Sequence, residues 1–207
     1  SIGGRLGHSY SKVIHEMLCG YRYDLCPLPT EEEVRAFLTR RQFRAINVTI
    51  PYKLVVMEYC SYIDPHAKAI NAVNTIVDAR RVYIQGAMSS GILASFMHYY
   101  LRLIFDKVTL IGSVATSEIY QQMIHIGEGD VFIGLSFPRY AKSTINACKF
   151  AHDCGSQIIA ITDSENSPLA QYAHTTLCAY SDMVSFVDSL VAPMSLLNAL
   201  IVSVSNR

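Results

Sequence analysis

Val131-Phe-Ile-Gly-Leu-Ser-Phe-Pro-Arg-Tyr-Ala-Lys-Ser-Thr144 is an apolar strand that runs into a polar loop and then into a helix start. That order is one βα unit, and its neighbours repeat it. Strand-like runs at Val82–Gln85, Lys107–Ile111, Val131–Ser136, Gln157–Thr162 and Thr175–Ala179 alternate with helical segments near Ser90–Leu103, Ser117–Ile126, Ser143–Cys154 and Pro168–Ala173. Five such units predict an α/β fold with a largely parallel sheet. Gly155 stands where a left-handed C-cap is wanted, and Pro168 after Ser167 forms an N-cap and first-turn pair. The last helix, expected from about Met183 to Val204, is apolar on most faces and should be buried against the sheet or a partner.

Upstream, Arg22–Leu28 reads as a strand. Thr30-Glu-Glu-Glu33 has the form of a capping box, so a helix should run to about Arg40. Ala45–Ile50 reads as a strand, Pro51 suits the first position of the next helix, and Ala72–Val77 reads as a third strand. Only Asp78, Ala79 and Arg80 join this region to the repeated units, with no flexible linker, so two domains here would be stiffly coupled.

The 207 residues are 51% hydrophobic and 16% charged, enough to bury a core, which excludes a disordered tail or a disulfide-stapled miniprotein. Net charge is zero, and neither half has a basic excess: Lys and Arg number 9 against 8 acids up to Asp78, then 8 against 9. A stand-alone nucleic-acid-binding module is therefore disfavoured. Six irregularly spaced cysteines, with no metal-finger spacing, read as core thiols, and no metal site is expected. Leu190–Val204 is interrupted and too short to cross a bilayer, so a cytoplasmic, membrane-free setting is expected.

Several polar constellations stand out. Ser9 and Ser11 put two hydroxyls on one side of an extended segment, or simply cap a helix. Asn47 and Thr49 share a strand face, and Lys53 falls in a first helical turn, against the dipole, unless it is an ordinary surface lysine. Asn74 and Thr75 add polar groups to an apolar run. In the repeated units, Gly86-Ala-Met-Ser-Ser90 opens a helix directly after a strand, the geometry of an anion site. Ser136-Phe-Pro-Arg-Tyr140, with Ser143 and Thr144 following, does the same after the third strand. With strands ordered 2-1-3, both loops flank the topological switch point and face one crevice. Arg139 there is either a phosphate ligand or a surface arginine stacked on Tyr140.

Two resemblances follow from these motifs. Gly7-His-Ser-Tyr-Ser-Lys12 with Ile14-His15, Asn47-Val-Thr-Ile-Pro-Tyr-Lys53 and Ala72-Val-Asn-Thr-Ile76 make residues 2–78 resemble the substrate-binding domain of shikimate dehydrogenase, with its first strand cut away. The resemblance implies that Ser9 and Ser11 hold a shikimate-like carboxylate, that Asn47, Thr49 and Asn74 hold ring hydroxyls, and that Lys53 is catalytic. The Asn-Thr-Asp motif of that family is missing, the stretch reading Tyr83-Ile-Gln-Gly-Ala-Met-Ser89, and no G-x-G-x-x-G turn offers a nicotinamide site. Gly86-Ala-Met-Ser-Ser90, Gly129 to Tyr140, Ile161-Thr-Asp-Ser164, Ser167-Pro-Leu-Ala170 and Asp188-Ser-Leu190 make residues 79–207 similar to a SIS (sugar isomerase) domain of RpiR-type transcriptional regulators. That resemblance implies a five-stranded parallel sheet flanked by helices, pairing as a homodimer, and a phosphorylated sugar held by Ser89, Ser90, Ser136 and Thr144. Arg139 and Ser143 complete the candidate set.

The chain thus reads as a junction of two domains, 1–78 and 79–207. A phosphosugar-binding effector module without cofactor or nucleic-acid partner ranks first. An NADP-dependent shikimate dehydrogenase relative ranks second. A sugar-phosphate isomerase ranks third, since Glu118, Glu128, His125 and His174 show no motif that singles out a general base.

Overall fold

The computed structural model describes residues 1–4, 6, 10–18, 22–49, 51–60, 65–112, 116–181, 183–184 and 187–207, without the side chains of 11, 18, 54, 57, 116, 183, 184 and 187. The chain divides into two units, Ser1–Ile63 and Asp64–Arg207.

The first unit holds β1 (Ile2–Gly3), α1 (Ser11–Leu18), β2 (Cys26–Pro27), α2 (Glu31–Arg40) and α3 (Lys53–Met57). The expected capping box is present: Glu33 N donates to Thr30 Oγ1 at 3.3 Å, and Thr30 N donates to Glu33 Oε2 at 3.1 Å. Ile2, Val34, Leu38 and Tyr52 form a small core. Arg35 joins α2 to the residue after α3, donating to both Glu58 oxygens at 2.6 and 3.1 Å. Two expected strands shrink. Arg22–Leu28 contributes only the two residues of β2, paired parallel with β1, and the described residues of Ala45–Ile50 contribute a single bridge between Ile2 and Val48. β1 is two residues long, so its neighbours have no further ladder to join, and Pro27 brings no N–H. The helix expected at Pro51 begins at Lys53.

The second unit runs α4 (Pro65–Asp78), β3 (Val82–Gly86), α5 (Ser89–Ile104), β4 (Val108–Leu110), α6 (Thr116–Gln122), β5 (Val131–Leu135), α7 (Lys142–Asp153), β6 (Gln157–Thr162), β7 (Thr175–Cys178), β8 (Met183–Val184), β9 (Val187–Asp188) and α8 (Val191–Ser205). Five strands form one parallel sheet in the order β4-β3-β5-β6-β7. The expected five-stranded parallel α/β sheet is the one observed, with the order reversing between β3 and β5. Alternate residues of each strand serve two cores. Val82, Ile84, Val131, Ile133, Leu135, Ile159 and Ile161 meet α4, α5 and α8 on one face. Tyr83, Phe132, Ile158 and Ala160 meet α6 and α7 on the other. Gly155 has φ +81°, the left-handed cap expected of it.

Three further elements differ from those expected. Ala72–Val77 is not a strand but the second half of α4. Ala72, Val73 and Ile76 lie on one helical face and are buried at 0%, 5% and 0% exposure in the core of the second unit. Asn71 Nδ2 donates to Thr175 Oγ1 at 2.7 Å, and Lys107 Nζ donates to the carbonyls of Val77 and Ala79, each at 2.6 Å, closing the end of the helix. Burial holds the Lys107 ammonium below its ordinary pKa. The last helix begins at Val191 rather than Met183. β8 and β9 pair antiparallel before it, and Ser181 Oγ donates to the Ser189 carbonyl at 3.0 Å, turning the chain back. The segment after Pro168 is a 3₁₀ turn, Ala170–Tyr172.

The buried stripe of α8, Pro193, Leu197, Leu200, Ile201 and Val204, packs on α4 and α5, leaving Ser195, Asn198, Val202 and Ser203 outward. Its apolar character is thus largely used within the unit. The cysteines are not uniformly core thiols: Cys148 is buried, Cys26 is intermediate, and Cys60, Cys154 and Cys178 are exposed, while Cys19 lies outside the described residues. Among the described residues, no helix is long and apolar enough to cross a membrane.

Candidate functional site

Parallel strands direct their loops to one edge, and the loops after β3 and β5 leave the sheet on either side of the switch point. β3 ends at Gly86, which pairs in register with Leu135, the last residue of β5. Gly86 permits the tight entry into α5: a Cβ there would lie 2.4 Å from the Ser90 carbonyl oxygen. Met88 then takes φ +57° and ψ −128°, and Arg139 takes φ +77°. Both are non-glycine residues in sparsely populated backbone regions, one in each loop.

The two loops meet on Asp188 of β9. Ser89 Oγ donates to Asp188 Oδ2 at 2.5 Å. Arg139 Nη2 donates to Oδ1 at 3.0 Å and Oδ2 at 3.1 Å. The Asp188 side chain is only 16% exposed, whereas that of Arg139 is 52% exposed. Tyr140 does not stack on Arg139 but turns to Asp163 at the end of β6, donating to its two oxygens at 2.9 and 3.1 Å. Burial and that carboxylate push the Tyr140 phenol up, keeping it protonated as a donor.

Beneath these contacts lie polar side chains in the core. Ser90, Ser136 and Thr144 are buried, and Ser143 is partly exposed. Gln85 shares the face of β3 that carries Tyr83, and Thr144 shares the face of α7 that carries Ala147 and Cys148, so both belong to the layer between sheet and α7. The Gln85 Oε1 and Thr144 Oγ1 atoms are buried without a hydrogen-bond partner among the described residues. Neither α5, capped by Met88, nor α7, capped by Ala141, has a side-chain cap; Gly91 N and Thr144 N donate to the Met88 and Ala141 carbonyls, each at 3.0 Å, which leaves the amides of residues 89, 90, 142 and 143 to face a ligand.

In the first unit, Asn47 Nδ2 donates to the Tyr23 hydroxyl at 2.7 Å and lies 3.3 Å from His15 Nε2. The His15 and Tyr23 rings stack with centroids 4.4 Å apart. Thr49 is exposed, and its amide donates to the Ile2 carbonyl at 3.1 Å. Lys53 is exposed at the first residue of α3. Ser9 lies outside the described residues, as does the side chain of Ser11 at the start of α1. Asn74 stands on α4 of the second unit.

Asp188, Tyr140, Asp163 and Gln85 adjoin the candidate residues here and stand outside the set expected from the sequence. His174, one of the bases considered, is engaged in structure: its Nδ1 accepts from Ile158 N at 3.0 Å. Glu118, His125 and Glu128 are exposed. Among the described residues, no group of His, Cys, Asp or Glu could hold a metal ion. An apolar cavity of about 170 Å³ between α4 and α8, lined by Ile70, Val73, Leu177, Leu196 and Leu200 among others, contains none of the candidate residues.

Comparison with known proteins divides the chain in two. The SIS domain model matches residues 75–203, and the model of the shikimate dehydrogenase substrate binding domain matches residues 2–76. Among curated proteins, the NADP(+) shikimate dehydrogenase of Bacillus cereus (strain ATCC 10987 / NRS 248) is 28% identical over 165 residues, covering 72% of this chain and 57% of the relative. The pentafunctional AROM polypeptide of Schizosaccharomyces japonicus is 38% identical over 80 residues, 36% of this chain and 5% of that one. An uncharacterized HTH-type transcriptional regulator of Haemophilus influenzae is 32% identical over 105 residues, 51% of this chain and 36% of that protein. The chain thus spans little more than half, or less, of the length of each of these relatives. Among solved structures, the sugar isomerase domain of an RpiR transcription factor from Sphaerobacter thermophilus superposes with TM-score 0.64 at 26% identity, covering 68% of this chain and 78% of that one. The Vibrio vulnificus NanR protein complexed with ManNAc-6P shares the fold, with TM-score 0.61 at 17% identity over 84% of this chain and 66% of that one.

Proposed function

The chain belongs to the SIS domain family, whose model takes in more than half of it, and on that premise we propose that its second unit binds a small phosphorylated sugar at the β3/β5 switch point. One observation carries the reading. A hydroxyl from the first loop and a guanidinium from the second converge on a single carboxylate, so the same donors are spaced to share a phosphoryl group. Ser89 and Arg139 bind the phosphoryl oxygens, helped by the uncapped amides of α5 and α7. Ser90, Ser136, Ser143 and Thr144 face the sugar, and the buried Gln85 and Thr144 oxygens lack partners that sugar hydroxyls would supply. The ManNAc-6P bound to the NanR relative is the chemical class in question.

In this role the unit is an effector module that pairs as a homodimer and needs no cofactor, in the reducing cytoplasmic setting that its free cysteines suit. Calorimetry with a panel of phosphosugars tests it: wild type binds one member, and Ser136→Ala and Ser90→Ala bind it more weakly. Equal affinity in all three proteins would remove the site.

A second reading rests on the first unit, where Asn47, Thr49 and Lys53 match the shikimate-binding pattern and Asn47 is held by Tyr23 and His15. A shikimate-like carboxylate is the ligand that this unit would take, with Lys53 as the acid–base group of a dehydrogenase relative. It ranks second because the sequence shows neither the Asn-Thr-Asp motif expected after Asn74 nor a G-x-G-x-x-G turn for the nicotinamide cofactor.

A further inference from the structure

We propose that Asp188 is an internal occupant of the anion cradle, held by Ser89 and Arg139 until the phosphoryl group of a ligand displaces it; the inference rests on the phosphosugar reading. Asp188 offers both oxygens to one guanidinium nitrogen and one of them also to a hydroxyl, which is how a terminal phosphoryl group would engage the same donors. The three residues come from three separate segments, 49 residues apart for Arg139 and 99 apart for Ser89, so the contact is a tertiary closure rather than a local turn.

The cradle is under tension on both sides. Met88, next to Ser89, and Arg139 itself hold left-handed backbone conformations that favour glycine. The element carrying the carboxylate is lightly anchored. β9 has two residues, pairs among the described residues with the two of β8, and stands outside the five-stranded sheet. Small elements of this kind open locally without global unfolding. A singly charged carboxylate competes poorly with a phosphoryl group that brings more negative charge and a third oxygen. Ligand entry therefore exchanges one anion for another and releases Asp188. Two residues beyond it, Leu190 precedes α8, so the release reaches the start of that helix.

The test uses the full chain with inorganic phosphate and with N-acetylmannosamine 6-phosphate as probes. Asp188→Asn keeps the shape of the side chain and weakens the internal competitor, so phosphate should bind about tenfold more tightly than to wild type. In wild type, phosphate should also speed amide exchange across residues 187–190. Unchanged or weaker phosphate binding by Asp188→Asn overturns the proposal, as does exchange across 187–190 that phosphate leaves unaltered. Arg139→Ala separates the two readings: if it binds the probes as well as wild type does, the phosphosugar site itself is wrong. If neither wild type nor Asp188→Asn binds any probe, both fall together.

Discussion

A Cβ on Gly86 would sit 2.4 Å from the carbonyl oxygen of Ser90 and 2.8 Å from its carbonyl carbon, with backbone rather than a flexible side chain in the way. Gly86→Ala must therefore push the start of α5 away from the sheet. We expect a loss of about 1–3 kcal/mol in denaturant unfolding, together with weaker phosphosugar binding. At Gly91 the nearest obstacle is the Gly86 carbonyl oxygen at 3.3 Å, so Gly91→Ala should cost less. Equal stability of the two variants would contradict the close approach.

Arg139→Ala should weaken phosphosugar binding by about ten- to a hundredfold, the usual worth of a charge-assisted hydrogen bond. Arg139→Lys should recover only part of this, because a lysine stem does not place its ammonium where Arg139 Nη2 now donates to both Asp188 oxygens. Titration calorimetry of the three proteins decides it. Full recovery by lysine would mean that charge alone matters there.

The whole chain should not oxidise shikimate with NADP. The sequence has no Gly-rich pyrophosphate turn, and the stretch where the partner aspartate of Lys53 is expected forms β3 and the opening of α5. Shikimate-dependent reduction of NADP that disappears in Lys53→Ala would reverse this expectation.

Acid should weaken the second unit. Burial, and then the neighbouring His152, hold the His174 imidazole below its ordinary pKa, and its Nδ1 must be unprotonated to accept from Ile158 N. As pH falls through about 6.5, the unfolded chain takes up a proton that the folded chain resists, so stability present above that pH is lost below it. The ring is only partly buried, which keeps the effect modest. Burial shifts His98 in the same direction, so His174→Gln should flatten the decline without removing it. Urea midpoints for both proteins across this pH range provide the check, and an identical slope would exclude His174 as a source.

Sedimentation should give about twice 23.0 kDa if the chain pairs as its family resemblance implies. Leu197 is fully buried, so Leu197→Glu would report on folding, whereas Val202, 57% exposed on α8, is a surface probe. A Val202→Glu protein that stays folded and falls to 23.0 kDa would put α8 at the interface. A mass of 23.0 kDa for wild type would exclude the dimer.

The sheet was legible because each of its strands is a short apolar run followed by a turn and a helix start, a local pattern that the tertiary structure reinforces. Ala72–Val77 misled because Val73, Thr75, Ile76 and Val77 favour a strand, while Ala72, Val73 and Ile76 equally make a helical stripe. Docking against β7 and α8 decides in favour of the helix. At the site, Ser89 and Arg139 could be found from the switch-point rule. Asp188 could not, since it lies in a stretch whose apolar character suggested a continuous helix, and the contact that gives it a role spans 49 residues. The one hint was a carboxylate just ahead of an apolar helix.

The chain cannot be cut where its motifs change. A fragment beginning at Arg80 would keep every strand of the five-stranded sheet yet discard α4, uncovering the side chains that Ala72, Val73 and Ile76 now shield and leaving Lys107 without the carbonyls of Val77 and Ala79. A fragment ending at Asp78 would carry that same helix away from the surface on which it rests. Expression of separate halves should therefore begin the second at Asp64, and a piece started later would expose sticky apolar surface and precipitate.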